Sequence, residues 1–393
     1  MAVDHAPTRD PFALSDEERS VRDTVRDWAI REVAPGAAAR DEEEHYDRSL
    51  FERAAELGIT GLPYPEELGG AGMGTFAWVL AVEEIAAADM GMAVSLSVHI
   101  LSQLCIFTSG TDEQKQRLLP PMTAGRELGA FALTEPGAGS DAASLALAAR
   151  RDGEDYVLTG TKIWITNAGD AARYVVFATV DASKGKAGVT AFVIEADTPG
   201  FRLGSKERKM GIRGTSAHEL VFEDARVSAA NRLGAEGDGL KVALSALGAG
   251  RISIAGACVG LARSAVELAA RYALQRRQFG RAIADQEMIQ AMLAEMAVGV
   301  DAARLLTWRA ARLRDTGQPI NAASSMAKWY ASDVAMRVTT DAVQIYGGAG
   351  YSRDNPVERL MRDAKGAQIY EGTNQIHRLI VAQHLLDTMR RDS

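Results

Sequence analysis

The stretch FALTEPGAGSD, residues 131–141, decides the fold of this chain. It begins as a short apolar strand and continues into a loop rich in glycine and hydroxyl groups. Such loops offer backbone N–H groups to an anion or to the edge of a heteroaromatic ring. The glycines do not match the dinucleotide-binding fingerprint and no βαβ pattern surrounds them, so a Rossmann domain is excluded. Taken alone, the stretch is also compatible with a tight turn.

Two further segments have a composition that suits a binding site. Residues 160–167, GTKIWITN, predict a strand in which Trp164 and Thr166 share one face, because side chains alternate along a strand. A strand tryptophan is more often part of the core, so this segment alone does not indicate a cofactor. Residues 344–351, QIYGGAGY, form a glycine-rich break between two helical stretches. On its own, such a break is typical of a turn between helices.

The fourth segment is QIYEGTNQIHR, residues 368–378, and it contains a single acid. The apolar residues after it keep helical spacing, so Glu371 and Gly372 are expected where a helix begins. A carboxylate there can point into a cavity, and the glycine lets a ligand approach the backbone closely. The alternative is an acid that is stabilised by the dipole of the helix.

Composition limits the class of protein. The chain has 393 residues and a formal net charge of −8, which allows two or three domains and argues against a nucleic-acid partner. Its two cysteines, Cys105 and Cys258, lie in apolar helical stretches and are interpreted as core residues in a reducing compartment. The six histidines show no metal-ligand spacing, so no metal site is predicted.

The sequence also leads us to expect a soluble protein. No apolar run is judged long enough to span a membrane. The first residues, MAVDHAPTRDPF, resemble neither a signal peptide nor an arginine-rich transit peptide. We therefore expect a cytoplasmic location.

The pattern along the chain predicts an α+β fold with three domains. Residues 1–125 are expected to form an N-terminal helical domain, with capping boxes that open helices at Ser15 and Thr111. Residues 126–236 are expected to form a central antiparallel, barrel-like β domain. Residues 237–393 are expected to form a C-terminal four-helix bundle, whose apolar stripes belong to the core or to a subunit interface.

The β domain is predicted from short runs of β-forming residues between turns. Residues 174–178 and 189–194 are the clearest of these runs. The dipeptides at 152–153 and 184–185, Asp-Gly and Lys-Gly, indicate hairpins.

In this order and spacing, the four segments resemble the acyl-CoA dehydrogenase family. The resemblance extends from the helix opened by Ser15 to about Leu386, and residues 132–144 match a family signature without a gap. It implies the oxidation of the Cα–Cβ bond of an acyl-CoA thioester to the trans-2-enoyl-CoA, as in fatty acid β-oxidation. FAD is the implied cofactor, and an electron-transferring flavoprotein is the implied acceptor.

The resemblance also implies the catalytic and substrate-binding residues. Glu371 corresponds to the base that removes the α-proton, while its backbone N–H and a ribityl hydroxyl of FAD would hold the thioester oxygen. Some branches of the family place the base one residue before an arginine of the first bundle helix. That arginine matches Arg251, and the preceding residue here is Gly250, which cannot act as a base. The implied substrate contacts are Ser140, Arg251 and Gly372.

For FAD, the resemblance implies contacts from all four segments and from a fifth, QRRQFG at residues 275–280. Trp164 would pack on the flavin ring, and Thr166 would bond to its N5 edge. The full set of implied FAD-binding residues is Phe131, Thr134, Ser140, Trp164, Thr166, Arg276, Phe279, Gln344, Gly347, Gly348, Thr373 and Gln375.

Quaternary structure and substrate follow from the resemblance less directly. In the family, Arg276 and Gln344 reach the FAD of a neighbouring subunit, which implies an obligate homo-oligomer, commonly a tetramer. Relatives that oxidise a dicarboxylic acyl-CoA have an arginine near Ala93, so glutaryl-CoA is disfavoured and a short or medium acyl chain is favoured. Two alternatives stay open at this point: an oxidase that uses oxygen, and a non-catalytic relative that binds DNA.

Overall fold

The computed structural model describes residues 12–391 and contains a sheet domain between two sets of helices. The helices before the sheet are α1 Asp16–Trp28, α2 Ala37–Glu42, α3 Arg48–Glu56, α4 Gly74–Ala88, α5 Met90–Ser109 and α6 Asp112–Thr123. Those after it are α7 Gly239–Gln275, α8 Glu287–Asp315, α9 Asn321–Tyr346, α10 Val357–Ala367 and α11 Asn374–Arg391. The predicted fold class, with helices, a sheet and again helices, is confirmed.

Local signals in the sequence determine several helix ends. Ser15 and Thr111 each form the predicted capping box, in which the cap hydroxyl accepts from the third helical N–H and that residue's side chain reaches back. Asp89 caps α5 by accepting from the backbone N–H groups of Gly91 and Met92. These contacts satisfy N–H groups that would otherwise lack partners at a helix start.

The main sheet has eight strands, and most of its pairs are antiparallel. The strands are β1 Gly129–Ala132, β2 Ala148–Asp152, β3 Asp155–Thr166, β4 Arg173–Thr179, β5 Val189–Glu195, β6 Phe201–Lys206, β7 Ala217–Val227 and β8 Arg232–Leu233. The path through the sheet is β6-β7-β3-β2-β4-β5-β8, and β1 pairs with β4. Two pairs, β1 with β4 and β2 with β4, are parallel, so the expectation of a purely antiparallel domain needs this correction.

The two predicted hairpins are present but differ in their connections. Gly153 has φ +66° in the tight turn that joins β2 to β3. The connection between β4 and β5 is longer, because a 3-10 segment, Ala182–Gly188, intervenes. A second, two-stranded sheet pairs β9 Arg277–Gln278 with β10 Arg281–Ala282.

The core of the helical part is shared between the two sets of helices. Buried residues of α4 and α5 pack in one cluster with buried residues of α7, α8 and α9. The predicted bundle therefore has the N-terminal helices as part of its core. The last helix, α11, buries only Asn374 and His377 and leaves Leu379, Leu385 and Met389 more than half exposed.

Two helices meet the length and hydropathy expected of a membrane span, which corrects the expectation that no apolar run is long enough. They are Met90–Ser109 and Gly239–Gln275, with mean hydropathies of 1.7 and 1.6 over their most apolar windows. Burial inside the protein covers 89% and 78% of those windows. Such burial is typical of core helices, which need an apolar surface on every side. Both cysteines are buried and free, as predicted.

Candidate active site

The backbone is strained at several residues that the sequence predicts for the site. Seven described residues other than glycine have positive φ, and three of them are Glu371 at +57°, Trp164 at +60° and Phe279 at +52°. Such conformations cost roughly 1–3 kcal/mol each and tend to occur at functional sites. The strained backbone is therefore a second observation, independent of the sequence motifs, that singles out Glu371, Trp164 and Phe279.

The carboxylate of Glu371 lies in the turn between α10 and α11, in surroundings that disfavour its charge. Its Oε2 atom is buried and has no hydrogen-bond partner among the described residues. Burial raises the pKa of Glu371 to about 7, while the charges of Arg251 and Lys328 oppose the rise. A carboxyl group with a pKa near neutrality and an uncommitted oxygen is suited to accept a proton. The raised pKa argues against the alternative of an acid stabilised by the helix dipole, because that stabilisation would lower the pKa.

Gly250 lies directly against this carboxylate. A Cβ atom at Gly250 would be 2.8 Å from Oε2 of Glu371 and 3.0 Å from Oε1. The two positions at which the resemblance allows a catalytic base are therefore adjacent in space, although one is in α7 and the other precedes α11. Only a residue without a side chain fits at 250 while Glu371 keeps this orientation.

Gly250, against which the carboxylate lies, also forms part of the wall of a cavity of about 420 Å³. One turn further along α7, Trp78 Nε1 donates to Ser253 Oγ at 2.7 Å, and Ser253 Oγ donates to Ser97 Oγ at 2.8 Å. This buried chain of hydrogen bonds ties α4, α5 and α7 together at the cavity wall. The remaining wall consists of Pro63, Tyr64, Gly74, Thr75, Ile100, Leu101, Leu104, Phe107, Ala249, Arg314 and Asp315.

Arg251 is buried rather than a charge on the helix surface. It is 6% exposed, and its Nη1 donates to Asn321 Oδ1 at 3.1 Å and to Ser325 Oγ at 3.4 Å. Its Nε is buried and has no partner among the described residues. The guanidinium thus stands near Glu371, as its effect on the pKa of that residue indicates.

The strand segment presents an exposed aromatic ring. Trp164 is 54% exposed on β3, at a shift in the register with β7 between Lys162 and Ile165. The local irregularity turns the indole away from the core, so the usual interpretation of a strand tryptophan fails here. The 131–141 loop is tied to the same strand, because Ile163 N donates to the carbonyl oxygen of Thr134 at 3.0 Å.

A buried ion pair holds the 131–141 loop to strand β3. Lys162 Nζ donates to Glu135 Oε1 at 2.7 Å and to Leu133 O at 2.9 Å, and both charged side chains are almost fully buried. The space next to two glycines of the loop is open, since a Cβ at Gly137 or Gly139 would meet nothing within 4 Å. A flat ligand could therefore approach the loop backbone closely.

The other predicted residues of these segments have different surroundings. Phe131 is half-buried and its ring packs on Phe177 at 5.0 Å between centroids, so it belongs partly to the sheet. Ser140 is exposed, and Thr166 is half-buried. Thr373 Oγ1 accepts from Ile376 N at 3.4 Å at the start of α11.

A third group of predicted residues lies at the far ends of α7 and α9. The rings of Tyr272 and Tyr346 stack at 4.0 Å between centroids, which brings these two helix ends together. Gly280 follows Phe279 with φ +77°, so the two residues form the tight turn between β9 and β10. This turn leaves Phe279 95% exposed. The neighbouring predicted residues, all exposed, are Arg276, Gln344, Gly347 and Gly348.

The structure thus brings the predicted residues together in three groups. The first is on the β domain around Trp164, the second is around Glu371, and the third is around Phe279. Between residues 12 and 391, no hydrogen bond or ion pair connects Arg276, Phe279 or Gln344 to Trp164 or Glu371.

Comparison with known protein families identifies the chain. Its residues 15–126, 130–225 and 237–386 match the N-terminal, middle and C-terminal domains of acyl-CoA dehydrogenase. The chain belongs to the acyl-CoA dehydrogenase family. Members of this family are FAD flavoproteins and oxidoreductases.

Individual relatives agree with this assignment. An acyl-CoA dehydrogenase of Bacillus subtilis (strain 168) is 46% identical over 374 residues, which cover 95% of this chain and 99% of the relative. An acryloyl-CoA reductase (NADH) of Anaerotignum propionicum is 44% identical over 377 residues, which cover 95% and 96% of the two chains.

Solved structures extend the likeness to three dimensions. Butyryl-CoA dehydrogenase from Megasphaera elsdenii has a TM-score of 0.94 with 44% identity, over 95% of this chain and 99% of that one. A chain with the same TM-score, identity and coverage belongs to a structure described as the electron transferring flavoprotein of Acidaminococcus fermentans, studied towards a mechanism of flavin-based electron bifurcation.

The residues of this acyl-CoA dehydrogenase fit the flavin that the family carries. An exposed indole beside an open glycine-rich loop suits a flat heteroaromatic ring, since aromatic rings stack with an offset and backbone N–H groups can bind its polar edge. The first of the three groups supplies both features around Trp164. The exposed Arg276 suits a phosphate, because guanidinium binds phosphate through paired hydrogen bonds.

Sequence reasoning missed several residues that support the site. Lys328 is fully buried and donates to the carbonyl oxygen of Gly372, beside Glu371. The signal was a single lysine in the otherwise apolar and small-residue stretch SSMAKWYAS, residues 324–332. The Glu135–Lys162 pair could also have been suspected, since Lys162 is followed in its strand by the apolar residues Ile163, Trp164 and Ile165.

Proposed function

We propose that this protein oxidises a short-chain acyl-CoA thioester to the trans-2-enoyl-CoA, with Glu371 as the base. The observation that carries the proposal is the carboxylate of Glu371: its Oε2 is buried without a hydrogen-bond partner among the described residues, burial raises its pKa to about 7, and it lies against Gly250, which lines a cavity of about 420 Å³. The named short-chain relatives support the substrate class.

The chemistry requires two hydrogens to leave adjacent carbons. The α-hydrogen leaves as a proton to the carboxylate of Glu371, and the electron pair of that C–H bond forms the new double bond. FAD, when bound, would supply the acceptor for the β-hydrogen, which leaves as a hydride with the two electrons of its bond. The protein must therefore align the Cα–H bond with Glu371 and hold the Cβ–H bond on the opposite side.

Two features of the chain lower the barrier to removal of the α-proton. The backbone N–H of Glu371 would donate to the thioester oxygen, where negative charge develops as the proton leaves. Bound acyl-CoA would also exclude water from the carboxylate, which is already buried, and a less solvated carboxylate is a stronger base. Arg251 supplies a fixed positive charge close by and limits the rise of the pKa of Glu371.

The electron acceptor is proposed to be an electron-transferring flavoprotein. A similar chain belongs to a structure described by that protein's name. We further propose that the enzyme works as a homotetramer, because Phe279 is 95% exposed at the end of the helical domain together with Arg276. An exposed aromatic ring at that position suits a contact with a second subunit.

One relative favours a second candidate function, the reverse reaction. The Anaerotignum propionicum relative is named as a reductase that uses NADH, at 44% identity. The same residues would catalyse either direction, with Glu371 returning a proton to Cα in the reduction. Anaerobic mixing of the holoenzyme with butyryl-CoA, and of the reduced enzyme with crotonyl-CoA, compares the two rates directly.

Glu371→Gln tests the proposal. The variant keeps the size and the hydrogen-bonding capacity of the side chain but lacks the base, so the rate of flavin bleaching by butyryl-CoA should fall at least ~10²-fold. Binding of acyl-CoA should persist and should still perturb the flavin spectrum. Glu267→Gln is the matched control, because it removes a carboxylate that is half exposed on α7.

The outcomes separate the possible roles of Glu371. Bleaching at a rate near that of the wild type would mean that another group is the base. Loss of both binding and rate would indicate a structural role. Admission of air after reduction tests the oxidase alternative. Rapid reoxidation of the flavin with formation of peroxide would mean that oxygen, and not a flavoprotein, is the electron acceptor.

A further inference from the structure

A buried lysine contacts the turn that carries Glu371. Lys328 of α9 is fully buried, and its Nζ donates to the carbonyl oxygen of Gly372 at 2.6 Å and to Oδ1 of Asn374 at 3.1 Å. Both acceptors are neutral. A buried ammonium that is held by neutral oxygens costs more than one paired with a carboxylate, so a role that offsets this cost is expected.

We propose that Lys328 is a positioning residue, which fixes the Glu371–Gly372 turn in its left-handed conformation and keeps the carboxylate of Glu371 ionised. The proposal rests on the proposed function only in so far as Glu371 is the base.

The hydrogen bonds attach the turn to α9 at consecutive points. Lys328 binds the carbonyl of Gly372, and one helical turn later Ser332 and Asp333 accept from Nδ2 of Asn374 at 2.9 and 2.8 Å. Asp333 also accepts from Gln368 Nε2 at 2.7 Å, on the other side of the turn. The strained φ of Glu371, +57°, and the positive φ of Gly372, +90°, which glycine adopts without strain, therefore lie between two fixed ends. Such strain persists only where the surroundings over-determine it.

The charge of Lys328 acts on Glu371 in addition to the hydrogen bonds. Burial lowers the pKa of Lys328 to about 8, so the side chain is still largely protonated at pH 7. Together with Arg251, it opposes the rise in the pKa of Glu371 that burial causes. The other titratable groups that face Lys328 or Glu371 are Cys105 of α5, Cys258 of α7, Asp333 of α9, Tyr370 of the turn and His377 of α11.

These other groups do not substitute for Lys328. Burial raises the pKa values of Cys258 to about 12 and of Tyr370 well above its usual range, which keeps both neutral near pH 7. Burial lowers the pKa of His377 to about 3, so its ring is neutral as well. Near neutral pH, Lys328 and Arg251 are therefore the cations that stabilise ionised Glu371.

The test compares Lys328→Met and Lys328→Gln with the wild-type holoenzyme. Both variants lose the charge, so the acidic limb of the pH profile of kcat/KM should move up by about 1 pH unit, the effect of one nearby opposite charge. Gln retains a donor for the carbonyl of Gly372, so at high pH kcat should recover towards the wild-type value in Lys328→Gln but not in Lys328→Met. KM for acyl-CoA should change little in either variant.

An infrared titration of the Glu371 carboxyl band gives a readout that does not depend on turnover. The band is assigned by its absence in Glu371→Gln, and its midpoint should rise in both Lys328 variants. If Lys328→Met does not fold, Lys328→Gln carries the test, and a failure of both to fold would overturn the proposal in favour of a purely structural lysine. An unchanged carboxyl midpoint in a folded variant would also overturn it.

Lys209→Met is the matched control. Lys209 is a half-buried lysine whose pKa is lowered to about 8 by burial, and it donates to the backbone and the hydroxyl of Thr215. The Lys209→Met variant should be less stable than the wild type, but the acidic limb of its pH profile of kcat/KM should not move. If Glu371 is not the base, the carboxyl midpoint still responds to Lys328 while the rate profile does not follow it, so the two proposals fail separately.

Discussion

Gly250→Ala is expected to damage catalysis while leaving the fold intact. The new Cβ would lie 2.8 Å from Oε2 of Glu371, closer than real Cβ atoms approach other atoms, and 3.0 Å from Oε1, which is tighter than most real contacts. Since α7 is a long helix with a buried core face, the carboxylate has to move, by roughly half an ångström, to reach an ordinary contact distance. A displacement of 1 Å in an active site can cost about 10²-fold, so we expect a loss in kcat of about 10-fold.

Stability should fall by less than the close contact alone would cost. Alanine is favoured over glycine in a helix interior by roughly 0.5–1 kcal/mol, which offsets part of the strain. The assay is single-turnover flavin bleaching by butyryl-CoA, with thermal unfolding of the same samples. Gly248→Ala is the control, because its Cβ would lie 3.4 Å from Cδ1 and 3.9 Å from Cγ1 of Ile320, which are ordinary contacts. It should gain the same helix propensity and keep the wild-type rate.

A double variant tests the cause. Glu371→Asp shortens the acid by one methylene and removes the overlap with Cβ, so Gly250→Ala should cost much less in that background than in the wild type. A wild-type bleaching rate in Gly250→Ala would refute the reasoning, because the carboxylate could then not depend on the space at residue 250. An equal loss in Gly248→Ala would also refute it.

Three further outcomes are expected. The rate constant kcat/KM should rise with pH and level off above an apparent pKa near 7, because burial raises the pKa of Glu371 to about 7 and only the ionised form accepts a proton; a profile that falls over pH 5–8 would contradict this. Trp164→Ala should lower FAD occupancy below the one FAD per chain expected of the wild type, without loss of apoprotein stability, since the indole is 54% exposed; absorbance and calorimetry measure both. Arg276→Ala and Phe279→Ala should weaken FAD binding and the oligomer together, and a monomer that retains FAD tightly would argue against a shared site.

The sequence predicts those parts of the fold that depend on neighbours along the chain. The capping boxes at Ser15 and Thr111 and the strands β4 and β5 follow from local patterns, because a helix start or a strand needs only a few adjacent residues. The parallel pairing of β1 with β4 did not follow, since pairing depends on contacts between distant segments.

The candidate site also has parts that the sequence predicts and parts that it does not. The residue types and motifs identify Glu371 and Trp164. The spacing of apolar residues along the chain, however, predicts neither the left-handed backbone of Glu371 nor the exposure of Trp164. The contact of Gly250 with Glu371 and the hydrogen bond of Lys328 to Gly372 join different helices to one turn. Only the packing of α7, α9 and α11 determines them.

The shared helical core has a consequence for synthesis on the ribosome. Helix α5 is apolar on nearly all sides, and its covering partner α7 begins only at Gly239, after the whole sheet domain has been made. At about 5–20 residues per second, synthesis of the roughly 130 residues between α5 and α7 takes roughly 6 to 26 s, during which the face of α5 that packs on α7 is not covered. Met90–Ser109 also has the length and hydropathy of a membrane-spanning segment, although 89% of its most apolar window is buried in the folded protein. Chaperone binding to this helix would bridge the interval until translation of α7 completes the core.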